Sequence, residues 1–160
     1  INSIVSVNSN VITLKLNEYG LSDTGVTPSI SIAGAIEDLA GNATSSSTAV
    51  TATDAAKPVY VGVSLDDTKK VVTIAFSEDV LNNKVDLDEL KDEVTFAADG
   101  ATFAALVASD SVAITNGKLV ITFNSALTGD TNKIKINAGA LKDAATNAID
   151  AVTTAAIDAN

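Results

Sequence analysis

Apolar and polar residues alternate along most of this chain, in short runs broken by turn-forming residues. Val11 to Leu16 places Ile12, Leu14 and Leu16 on one face and Val11, Thr13 and Lys15 on the other. A period of two is that of a half-buried β-strand. Thr27 to Ile32 follows suit, with Ile30 and Ile32 sharing a face. Val59 to Val63 and Lys70 to Phe76 predict two strands around a turn at Asp66 to Lys69. In the second of them Val72, Ile74 and Phe76 point one way. Val94 to Phe96 and Ala101 to Val107 flank Asp99-Gly100, while Val112 to Thr115 and Leu119 to Phe123 flank Asn116-Gly117. Both dipeptides suit the positive φ of tight hairpin turns. Lys133 to Ile136 and Ala148 to Ile157 complete the strands, and the Ser/Thr-rich stretch from Thr44 to Thr53 reads as one more leading into a linker.

A single short helix interrupts this pattern. Asp86 is a candidate N-cap, and Glu89, three residues on, completes a capping box. Leu87, Leu90 and Val94 then fall on one apolar stripe. Closely spaced strands with a turn at nearly every gap predict an all-β fold, an immunoglobulin-like antiparallel β-sandwich.

The chain also resembles itself. Ile30 to Asn42 (ISIAGAIEDLAGN) matches Ile134 to Asn147 (IKINAGALKDAATN), with one extra residue in the second copy. Val11 to Asn17 resembles Leu119 to Asn124, and Asp54-Ala55 falls where Asp158-Ala159 falls. A period of roughly a hundred residues is that of a domain, not of a solenoid. Residues 57–160, opening beside Pro58, are then one complete repeat. Residues 1–56 are the C-terminal half of another. Half a sandwich exposes an apolar sheet face and is not stable alone. The expectation is a piece of a longer array, with the strands missing from 1–56 lying upstream; strands supplied by a partner, or packing of 1–56 on the second repeat, are the alternatives.

Composition narrows the chemistry. The 160 residues hold 20 acids against 10 bases, a formal charge of -10, and contain no His, Cys, Met or Trp. All ten bases are Lys. Without His or Cys there is no Ser-His-Asp triad, thiol nucleophile or ordinary zinc site. Without Arg there is no bidentate clamp for phosphate. The strong negative charge disfavours nucleic acid and anionic lipid, and no apolar run is long enough for a membrane helix. Glu78 and Asp79, as strand neighbours, would point to opposite faces and so do not form a pair across a sugar. No enzyme activity is expected.

What remains is oxygen chemistry, which suits Ca2+. The pairs Asp38 with Asn42 and Asp143 with Asn147 supply a carboxylate and an amide at equal spacing. They read either as Ca2+ ligands or as turn residues that hold nearby amides. Asp54 sits at the junction between the two repeats. A site there would draw on Asp54, one of the Asp/Asn pairs and a loop acid from Asp66-Asp67 or Glu78-Asp79. The candidate ligands are therefore Asp38, Asn42, Asp54, Asp143 and Asn147. The acidic run Asp86 to Glu93 reads as the solvated face of the helix.

Val71 to Val80 (VVTIAFSEDV) and Ile36 to Asn42 (IEDLAGN) resemble the strand and closing motif of bacterial immunoglobulin-like repeats, as found in surface-layer proteins of Gram-positive bacteria and in large adhesins. The resemblance implies an extracellular structural module in a self-assembled cell-surface lattice. Its partners would be other protomers and neighbouring immunoglobulin-like domains, with Ca2+ rigidifying the junctions. A ligand-binding domain of a large secreted adhesin and an accessory module beside a hydrolase are the other readings. The second copy departs from the motif at Thr146, where the first has Gly41, which speaks against a left-handed turn there.

Overall fold

The computed structural model describes residues 3–8, 11–15, 24–32, 36–43 and 49–160. Its first strands are β1 (Ser3–Asn8), β2 (Val11–Lys15), β3 (Ser29–Ile30) and β4 (Val50–Thr51). Then come β5 (Tyr60–Leu65), β6 (Val71–Phe76), β7 (Leu81–Asn82), helix α1 (Leu87–Asp92) and β8 (Val94–Ala97). They are followed by β9 (Ala104–Ala105), β10 (Ser111–Thr115), β11 (Lys118–Thr122), β12 (Lys133–Ile136), β13 (Leu141–Lys142) and β14 (Val152–Thr153). The chain is thus built mainly of antiparallel strands with one short helix. Two four-stranded sheets run in the orders β10-β11-β6-β5 and β14-β12-β8-β9. The pairs β1-β2, β3-β4 and β7-β13 stand beside them.

Both large sheets feed one core. Val72, Ile74, Leu119 and Ile121 from the first meet Val94, Ile134 and Ile136 from the second, all fully buried. The alternation read from Val72, Ile74 and Phe76 is the observed burial pattern of β6. Phe96 and Phe123 lean together with ring centroids 4.9 Å apart, a spacing typical of attractive aromatic pairs. Among the described residues, those of the buried hydrophobic core all lie between Val72 and Ala159.

The turns follow from the residues that make them. Asn116 and Gly117 both take positive φ, 50° and 69°, as a two-residue hairpin of matching twist requires. Asp66 accepts hydrogen bonds from the amides of Lys70 and Val71 and from the Thr68 hydroxyl. The Thr68 bond, then the amides, hold the Asp66 carboxyl below its ordinary value. The Asp86 carboxylate caps α1 through the Glu89 amide at 2.9 Å. Glu89 answers to the Val85 amide at 3.1 Å, one residue before the cap. At the far end of α1 the Lys84 ammonium lies 2.5 Å from Glu93, whose other oxygen accepts from Asn137 at 2.8 Å. Lys84 first, and then Asn137, lower the Glu93 carboxyl.

Several elements differ from the sequence reading. Leu87 is 46% exposed and Val94 already belongs to β8, because the helix ends at Asp92, so Leu90 is the buried residue of the helix. The ladder of β3 starts after Pro28, which has no N–H to donate. Asp99-Gly100 opens a wider loop instead of closing a two-residue hairpin. The Asp99 carboxylate takes the amides of Thr102 and Ala101 at 2.7 and 2.9 Å, which lowers its pKa to about 2 and leaves β9 only two residues long. The stretch from Ala148 to Ile157 contributes β14 and single bridges at each end. Leu16 and residues 44–48 lie outside the described residues.

Candidate metal centre

Three carboxylates converge where the segment before Pro58 meets the body of the fold. One oxygen each from Asp54, Glu78 and Asp143 lies within 4.8 Å of the others. Each arrives on a different element. Asp54 follows β4, and its side chain accepts from the Ala56 amide at 3.0 Å, a two-residue turn that fixes its direction. Glu78 follows β6, whose neighbour Ser77 is buried. Asp143 follows β13 and is 1% exposed.

The Asp143 loop is built by its own side chains. The carboxylate accepts the Asn147 amide and the Asn147 Nδ2, both at 2.8 Å. The backbone closes with Asp143 N–H to Asn147 C=O at 3.1 Å and Thr146 N–H to Asp143 C=O at 3.3 Å. Asn147 Nδ2 also reaches the Asp54 carbonyl at 3.4 Å, so one amide group positions two of the three acids. The Asp38 loop repeats these bonds and adds one, from the Ala40 amide to the Asp38 carboxylate at 2.9 Å. Asp38 accepts the Asn42 amide and Nδ2, both at 2.9 Å, and its backbone closes on Asn42 and Gly41 at 3.0 Å. The Asn42 bonds lower the Asp38 carboxyl. Asp38 and Asn42 are exposed and stand apart from the carboxylate cluster.

Of the expected ligands, then, the structure brings Asp54 and Asp143 together with the loop acid Glu78, and Asn147 braces them. Thr24 has no signal in the sequence. It is buried, its hydroxyl donates to Glu78 Oε1, and it lies 2.6 Å from the Ser77 hydroxyl. The adjacent Gly25 is close enough that a Cβ there would sit 3.1 Å from Glu78 Oε2. Residues 24–25 thereby dock on the same carboxylate as the junction.

The set is oxygen throughout, which is hard-cation chemistry. Oxygens at 2.3–2.6 Å from a calcium ion are separated by at most about 5 Å, and the observed spacing fits that sphere.

Thr146 corrects the sequence reading of this loop. It takes φ +76°, close to the +84° of Gly41 in the first copy. The paired bonds of Asp143 impose the turn although a β-branched residue resists it. Thr146→Gly is expected to stabilise the fold by about 1 kcal/mol, the strain relieved less the entropy that glycine adds to the unfolded chain. Urea unfolding measures it, and an unchanged or lower midpoint would show that the loop carries no strain.

A second concavity, of about 310 Å³, is lined by Phe96, Phe123, Leu127, Asp110 and Asn132. Its polar groups serve the backbone. Asp110 accepts from the amides of Val107 and Asn124, and Asn132 Nδ2 donates to the carbonyls of Thr128, Gly129 and Ile157. Among the described residues no helix is long and apolar enough to cross a membrane. Protein-family models, curated proteins and solved structures yield no match to this chain.

Proposed function

We propose that this chain is a non-catalytic structural module of a bacterial surface layer, with immunoglobulin-like repeats joined at a Ca2+-stiffened junction. The observation that carries this reading is the convergence of Asp54, Glu78 and Asp143 from three separate segments. The Asp54 arm belongs to the first repeat; the other two belong to the second. A cation seated on all three resists bending at the junction, because bending separates its ligands. The loop acids repel when the ion leaves, so order at the junction depends on external calcium. The acidic, thiol-free composition and the same Asx loop in both halves support one material used in tandem.

The junction is tested by titrating Ca2+ into protein cleared with EGTA. At a hundredfold excess over Kd, binding adds about 2.7 kcal/mol, a rise in Tm of roughly 10 °C for a chain of this size. Glu78→Gln is expected to remove most of that rise. A melting curve indifferent to calcium would sink the cation. The lattice role is tested on the full polypeptide carrying this segment, which should form ordered two-dimensional sheets by electron microscopy with Ca2+ and disperse in EGTA. Failure to form sheets in either condition would count against it.

A further inference from the structure

On the tandem-repeat reading, the second repeat shows which strands would complete the first. Hairpin β1-β2 closes with Asn8 opposite Val11, and hairpin β10-β11 with Thr115 opposite Lys118. Counted from those closures, Ile12 stands for Leu119 and Leu14 for Ile121. This register is one residue off the match by sequence, which set Val11 beside Leu119. Exposure supports the structural register: Val11 is 57% exposed, whereas Leu119 is fully buried. Likewise β3 and β4 pair Ile30 with Val50, as β12 and β14 pair Ile136 with Val152. Ile30 stands for Ile136, and Ile36 for Leu141, since the Glu37–Ala43 bridge answers to Lys142–Ala148.

These counterparts differ in one respect. Leu119, Ile121, Ile136 and Leu141 are all 0% exposed. Ile12, Leu14 and Ile30 are only half-buried, and Ile36 is 39% exposed. In the second repeat β11 lies against β6, with Leu119 opposite Ile74 and Ile121 opposite Val72. There β12 lies against β8, with Ile136 opposite Val94. Among the described residues β2 pairs only with β1, and β3 only with β4.

We propose that β2 and β3 form an acceptor surface for a segment patterned like residues 71–97, supplied by another repeat of this kind. Its β6-type strand adds antiparallel to β2, placing an Ile74-like residue opposite Ile12 and a Val72-like residue opposite Leu14. Its β8-type strand adds to β3 opposite Ile30. Backbone pairing at the free edge supplies affinity, and the alternating apolar residues set the register. This rests on the tandem-repeat part of the functional reading and does not involve the cation.

The experiment fuses a second copy of residues 57–108 ahead of Ile1 in the full chain and follows amide hydrogen exchange in EGTA. Exchange in residues 3–15 and 29–51 is expected to slow about 100-fold relative to the unfused chain. Protection at residues 111–122 reports that the body of the fold is intact. The same fusion with Ile74→Asp in the added copy only should lose the gain. Exchange as fast as in the unfused chain, or equal protection by the Asp fusion, overturns the proposal. An unfused chain that sediments as a dimer with residues 11–15 already protected also overturns it, since a second copy is then the occupant. None of these outcomes depends on the calcium response.

Discussion

Ile74→Ala is expected to cost about 4 kcal/mol, at the upper part of the range for a fully buried large-to-small change. Ile74 is 0% exposed. It sits in β6, the strand bridging β5 and β11, opposite Val63 on one side and Leu119 on the other. Both neighbours are held by ladder hydrogen bonds, so the cavity cannot collapse around the smaller side chain. Most of the loss therefore combines transfer free energy with an unfilled hole. The measurement is urea unfolding with m held constant. The comparison is Ile12→Ala, at the position in hairpin β1-β2 that Leu119 holds in hairpin β10-β11 yet only half-buried. It is expected to cost a small fraction as much, because little packing surrounds it. Equal losses would mean that Ile12 is already packed in a core, and would remove the ground for a missing strand.

Local features were legible because neighbouring residues determine them. The strand of Val72, Ile74 and Phe76, the Asn116-Gly117 hairpin, the Asp86 cap and the span Lys133 to Ile136 all appear as read. The same holds for the Asx loops as turns. Asp143 bonds to Asn147 and also stands in the carboxylate cluster. What the sequence could not disclose depends on distant partners. The two-residue pair β7-β13 has no periodicity to detect. Nothing local distinguishes Asp143 from Asp38, although sheet pairing buries the first and leaves the second in solvent. Nothing near Thr24 predicts that its hydroxyl will meet Glu78. Choosing Glu78 over Asp66 as the third acid likewise needs the fold: Asp66 is held by its own hairpin turn, while β6 carries Glu78 to the junction.

The twin loops make a matched pair for the second large effect. Asp143→Ala removes the acceptors of the Asn147 amide and side chain at a site 1% exposed. Two charge-assisted bonds are lost, and their donors, on the half-buried Asn147, are only partly open to water. The expected cost is about 3 kcal/mol. Asp38→Ala breaks the same bonds in the first loop. There water takes over both donors, and stability should hardly move. Measured in EGTA, this contrast reports mainly burial, since the loops share the two Asn bonds and Asp38 accepts only one more, from the exposed Ala40. Adding Ca2+ then separates turn from ligand. If the ion sits on Asp143, calcium stabilises the parent chain and the Asp38 variant but not the Asp143 variant, and the gap widens. A gap unchanged by calcium would leave Asp143 as a turn residue alone. A gap absent in EGTA would show instead that the buried loop contributes nothing without its ion.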